Sequence, residues 1–181
     1  MDRLICCVAL ALLAVTEISH AAAFEPVFSI EDGALRPLPP KALAAVRAGA
    51  KKTLDADCLS GRFVGAAVDL AGHGRPKDWI AMTETGCGWG ASSAHIWVLR
   101  WDGSRYRVVL STGGHDMGVG RRKTNGLLDL KTTHGTAGYY SETQYRFDGR
   151  RYRESVSRYV NLADPAGCRK NRDLEVCKPG N

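Results

Sequence analysis

With 181 residues, a net charge of +6 and 44% hydrophobic residues, the chain carries enough apolar material for one domain with a buried core. It is too short for a closed propeller, which needs at least about four blades. Twenty glycines and few helix-forming runs favour a mainly β protein, while the charge speaks to solubility and anionic surroundings rather than to fold.

Residues 1–23 read as a signal peptide. Arg3 precedes the apolar run 4–15, and Ala21, Ala22 and Ala23 supply the small residues of a cleavage site. The run is too short to span a bilayer. Cys6 and Cys7 lie inside it and leave with it. The expected product is periplasmic or secreted, without stable membrane insertion. Residues 1–23 hold one arginine against two carboxylates, so the remainder carries +7. A basic exported protein meets anionic envelope polymers or acidic proteins.

Residues 24–40 read as an N-terminal strand, at 27–30, followed by a linker that Pro37, Pro39 and Pro40 keep irregular. Residues 41–55 read as the one helix, opened by Pro40. Leu43, Val46, Ala50 and Leu54 share one face, and Lys41, Arg47, Lys51 and Lys52 the other. That helix is expected to cover a sheet; its apolar stripe is too weak for membrane insertion. Residues 41–160 form a single β-rich domain with strands at 62–70, 78–83 and 127–131 and hairpins at 95–110 and 139–157. Residues 111–124 are Gly-rich and basic. Residues 161–181 are an irregular tail tied by a disulfide.

One segment occurs twice. Arg100-Trp101-Asp102-Gly103-Ser104-Arg105-Tyr106-Arg107 returns as Arg146-Phe147-Asp148-Gly149-Arg150-Arg151-Tyr152-Arg153, identical at six of eight positions. Asp-Gly between alternating residues signals a hairpin with a type I′ turn. A strand precedes each hairpin. The fold expected is therefore mainly β, with antiparallel sheet or sheets built from two strand–hairpin repeats and one N-terminal α-helix packed on them.

The hairpins carry a consequence for charge. A two-residue turn sets Arg100 opposite Arg105; a four-residue turn sets it opposite Arg107. Either register places arginine against arginine, and the second hairpin does the same with Arg146 and Arg151 or Arg153. Trp97, Leu99, Trp101, Tyr106, Val108 and Leu110 would share the core face, as would Tyr145, Phe147 and Tyr152. Like charges opposite one another cost about 0.2–1 kcal/mol. Acidic neighbours such as Glu142 and Glu154, an anionic ligand held by guanidinium forks, or solvent screening would offset that. Arg100, Arg105, Arg107, Arg146, Arg151 and Arg153 are thus the candidate ligand-binding residues. Their aromatics alternate away from the charges, which does not suit nucleic acid.

Four cysteines remain after residue 23: Cys58, Cys87, Cys168 and Cys177. An even count in an exported chain implies two disulfides, for which three pairings exist. Cys58–Cys87 and Cys168–Cys177 are favoured. The second closes a short polar loop; the first ties the end of the helix to the loop after a strand. No paired CxxC motif or histidine spacing indicates a metal, and no cofactor is expected. An alternative function is an envelope hydrolase using Cys87 or a His115/Asp116 site. A structural envelope protein without a specific ligand is a third.

Residues 68–80, with Asp69, Gly72, Gly74 and Asp78 ahead of a hydrophobic strand, resemble the FG-GAP/VCBS repeat. Gly86-Cys87-Gly88, Asn125-Gly126 through Leu130, and Phe147-Asp148-Gly149 extend a similarity to small exported bacterial proteins that carry this loop. The resemblance implies an exported β-rich protein that binds rather than catalyses. Its loop holds calcium through side-chain oxygens. Here Ala71 and His73 stand where the pattern has Asn and Asp, and Lys77 is an insertion, so no metal is expected.

Overall fold

In the computed structural model, residues 24–84, 86–88, 90 and 92–178 are described. Residues 1–23, read above as a signal peptide, lie outside them, Cys6 and Cys7 included. Among the described residues ten strands form two five-stranded antiparallel sheets. The first runs β2 (Arg36–Pro37), β3 (Phe63–Val68), β4 (Asp78–Thr83), β5 (Ala94–Trp101), β6 (Tyr106–Gly114). The second runs β1 (Phe24–Ser29), β7 (Asp116–Thr124), β8 (Leu127–Gly135), β9 (Tyr139–Phe147), β10 (Tyr152–Asn161). One residue, His115, carries the chain from the first sheet to the second. Its N–H donates to Thr133 and its carbonyl accepts from Ile30.

Strand alternation explains the layers. In β4 and β5, Ile80, Met82, Ile96 and Val98 point between the sheets and meet Met117, Leu130, Tyr145 and Phe147. Ala81, Trp97 and Leu99 point the other way, under helix α1 (Pro40–Ala50). Both faces of these strands are apolar because both are covered. The helix lies close: Ala42, Val46 and Ala50 are fully buried, and a Cβ added at Gly49 would meet Val108 at 2.7 Å. On the outer face of the second sheet, buried carboxylates are paired. Glu142 accepts from Lys131 and Arg158, and Asp129 from Arg122 and Thr124.

Several expectations are corrected. The helix stops at Ala50 rather than running to Asp55. Thr53 turns back onto the Ala50 carbonyl through both its N–H and its hydroxyl. Asp55 then caps a second short helix, α2 (Ala56–Ser60), by accepting from Cys58 N–H at 2.8 Å. The proline linker is not wholly irregular, since Pro37 sits on an edge strand opposite Val64, where its missing N–H costs nothing. The basic segment 111–124 is the end of β6 and all of β7. The tail contains α3 (Pro165–Lys170) and a 3-10 turn (Glu175–Cys177), anchored by the buried Leu174.

The type I′ turn is at a different dipeptide. Asn125 (φ 49°) and Gly126 (φ 87°) both take positive φ between Thr124 and Leu127, as that turn requires. At the Asp-Gly pairs only the glycine does. The shared core face also divides. A bulge sets Val98 opposite Leu110 but Leu99 opposite Val108. Tyr106 and Val108 therefore pack toward the helix, and Val109 and Leu110 toward the second sheet.

Both disulfides pair as expected, Cys58–Cys87 and Cys168–Cys177. They point to an oxidising, non-cytoplasmic setting. Among the described residues no helix is long and apolar enough to cross a membrane.

Candidate functional site: an arginine cleft between two turns

Each sheet ends one hairpin at the same side of the molecule, and the two loops are built alike. In the loop 102–105, Asp102 Oδ1 accepts from the N–H groups of Ser104 (3.0 Å) and Arg105 (2.9 Å). In 148–151, Asp148 Oδ1 accepts from Arg150 and Arg151, both at 2.8 Å. The Asp N–H donates to the carbonyl of Arg105 or Arg151, closing four-residue loops. Gly103 (φ 103°) and Gly149 (φ 100°) take the left-handed positions, where a Cβ would be strained.

The four-residue loop fixes the register. Trp101 faces Tyr106 and Arg100 faces Arg107; Phe147 faces Tyr152 and Arg146 faces Arg153. The turn aspartates relieve part of the resulting repulsion. Asp102 Oδ2 accepts from Arg107 Nε at 2.8 Å, and Asp148 Oδ2 from Arg153 Nε at 2.8 Å. Backbone donation from Arg105 and Arg151, reinforced by these guanidiniums, holds both carboxyls far below the usual aspartate range. Glu142, expected to help here, serves Lys131 and Arg158 instead.

Between the loops opens a cleft of about 640 Å³, within the size range of ligand sites. Five arginines line it: Arg100, Arg107, Arg150, Arg151 and Arg153, against the two turn carboxylates. Trp101 and Phe147 supply apolar wall. Arg100 reaches across from the first sheet, its guanidinium carbon 5.4 Å from the Phe147 ring centroid of the second. Among the described residues no carboxylate lies within 4.0 Å of the cationic groups of Arg100, Arg150 or Arg151.

The floor is held from both sheets. Asp78, 6% exposed, accepts from the N–H of Trp101 at 2.8 Å and of Leu70 at 3.2 Å. Burial pushes its carboxyl above the usual range. The Leu70 carbonyl takes Leu128 N–H, the Leu128 carbonyl takes the Tyr152 hydroxyl, and Asn125 donates to the Phe147 carbonyl. Beside this floor, in the loop 69–78, Asp69 accepts from His73 N–H and from Arg75 N–H at 3.1 Å. These bonds outweigh desolvation and keep its carboxyl low. The loop and Arg100 enclose a second cavity of about 360 Å³. No group of His, Cys, Asp and Glu among the described residues is arranged to hold a metal.

Of the six candidate arginines, Arg100, Arg107, Arg151 and Arg153 meet at the cleft. Arg105 stays at the exposed rim, 3.6 Å from Asp102. Arg146 lies on the outer face of its sheet, 4.0 Å from Asp129. Arg150 was missed because strand alternation assigns no face to a loop residue. Trp101 and Phe147 were missed as site residues because the pattern assigned them wholly to the core. The duplicated aromatic-Asp-Gly segment was the signal for both.

The other candidate chemistry separates in space. Cys87 is bonded to Cys58 and offers no thiol. His115 lies 3.6 Å from Glu31, while Asp116 accepts from the Thr133 hydroxyl at 2.6 Å. His95 stacks on Trp97 with ring centroids 4.4 Å apart, and its burial lowers its pKa. The chain matches no protein-family model, and no curated protein or solved structure matches it.

Proposed function

We propose that this is an exported, periplasmic or secreted, non-catalytic binding protein whose arginine cleft engages anionic groups of an envelope polymer or an acidic protein. The observation that carries this is the convergence of Arg100, Arg150 and Arg151, each without an ion-pair partner among the described residues, in one cleft. A guanidinium offers paired donors matched to carboxylate or phosphate. Two further arginines of the same cleft are already committed to Asp102 and Asp148, which fixes its walls. The leader-like N-terminus supports export, as do the disulfides. The loop resembling FG-GAP/VCBS repeats supports binding over catalysis. The reading includes a duplicated strand–hairpin unit, one copy in each sheet, supported by the matched hydrogen bonds of the two loops.

A pull-down from envelope extract of the source cells tests it. The mature protein is compared with a folded Arg100→Glu, Arg150→Glu, Arg151→Glu variant. A partner captured by the first and lost by the second is expected. Equal capture by both would remove the cleft from the function.

A further inference from the structure

Trp101 is shared by three cavities: the arginine cleft, the small cavity under the 69–78 loop, and a shallow groove of about 610 Å³ on the helix side of the first sheet. Arg100 belongs to the first two and Lys77 to the last two. The three are therefore consecutive stretches of one surface along the end of the sandwich. It begins at the arginines and ends in aromatic rings. Trp79, Trp101 and Tyr106 stand on three neighbouring strands, on the same side of the sheet, each half-buried. Trp101 and Tyr106 have ring centroids 4.9 Å apart. The Tyr106 hydroxyl is tied to the Lys77 carbonyl at 3.0 Å. Exposed Lys41 sits with its ammonium 5.3 Å from the Trp101 centroid.

Resting on the reading above, we infer that the occupant of this surface is a linear acidic polysaccharide. Its acid groups would meet Arg100 and the cleft arginines at one end and Lys77 and Lys41 at the other. An intervening sugar ring would lay its apolar face on Trp101, Trp79 or Tyr106. The lysines at the groove and the arginines in the cleft have the same sign, so the occupant must be anionic along its length, not at one group. The rings require apolar faces between those charges, which a pyranose has. An extended acidic peptide fits less well. Such peptides gain affinity by adding a strand to a free sheet edge, here β6, a mode that makes no use of the Trp79 ring on the interior strand β4.

The test titrates the mature protein at low salt with oligogalacturonates of increasing length. Pyrophosphate serves as a small anion and polyglutamate as a peptide polyanion. Affinity for oligogalacturonate should rise with length. Trp79→Leu and Tyr106→Leu, which keep apolar bulk but remove the ring, should weaken the longest chain by about tenfold and leave pyrophosphate unchanged. Lys41→Glu and Lys77→Glu alter exposed side chains only, and should weaken the polymer more than pyrophosphate. Polyglutamate bound as tightly as the glycan, or glycan binding indifferent to both rings and lysines, would overturn the inference in favour of an acidic protein or bare electrostatics. Pyrophosphate bound without oligogalacturonate would overturn this inference and spare the cleft. Failure of pyrophosphate itself would overturn the cleft reading beneath it.

Discussion

Replacing Asp78 by alanine tests how the cleft is held in place. Asp78 is almost fully buried and accepts two backbone N–H groups, one from Leu70 and one from Trp101, the residue beside Arg100. Hydrogen bonds to a charged acceptor are worth about 1.5–3 kcal/mol each, and a buried donor left alone keeps its desolvation cost. Relief of the carboxylate's own burial cost, visible as its raised pKa, offsets part of that. Asp78→Ala should therefore cost about 3–5 kcal/mol in guanidinium unfolding at pH 7. Asp78→Asn retains an oxygen for Trp101 N–H but turns an amide N–H toward Leu70, so it should fall between alanine and wild type. A loss below about 1 kcal/mol for the alanine variant would refute the reasoning. The loop 69–78 and the end of β5 would then be held by something other than this carboxylate.

Two further outcomes follow from the same geometry. The Cys58–Cys87 bridge closes a separation of 29 residues and Cys168–Cys177 one of 9. Chain entropy assigns them about 3.6 and about 2.6 kcal/mol. Paired Cys→Ser variants compared by guanidinium unfolding should preserve that order, and a reversed order would contradict it. Asp102 and Asp148 have folded pKa values below their ordinary value of 3.8. Their contribution is fully present above that value and lost as pH falls through the folded values. Asp78 runs the other way, because its raised pKa makes the folded state the stronger proton binder as pH rises past 3.8. An Asp102→Asn, Asp148→Asn variant should accordingly show a flatter loss of thermal stability than wild type on acidification below about pH 4. Parallel curves would show that neither turn carboxylate matters to folding.

Some of this is legible in the amino-acid sequence. Short apolar runs located β4 and β5, and cysteine parity with loop position selected both disulfide pairs. The duplicated segment located two hairpins and the opposed arginines, because any even register produces them. Other features depend on tertiary contacts. Arg36 and Pro37 form a strand only because Val64 and Gly65 lie beside them. Helix α1 ends early because Thr53 and Asp55 divert the chain, a local preference that the apolar spacing through Leu54 concealed. The bulge at Val98/Leu99 sent Leu110 away from Val108, and no residue there announces it. Asn125-Gly126 carried the stronger type I′ signature than either Asp-Gly pair. There the aspartate side chain, by accepting two N–H groups, stabilises a longer loop instead. Above all, Arg100 meets Arg150 and Arg151 only because the hairpins fall in different sheets and end on the same side. Nothing within one hairpin specifies that.

The most direct measurement is a calorimetric titration of the protein from residue 24 onward with pyrophosphate, repeated at rising salt and on the Arg100→Glu, Arg150→Glu, Arg151→Glu variant after confirming that it folds. The account predicts saturable binding that weakens with salt and disappears in the variant. Binding of equal strength in the variant, or none in the wild type at low salt, would contradict it and leave the five arginines as solvated surface.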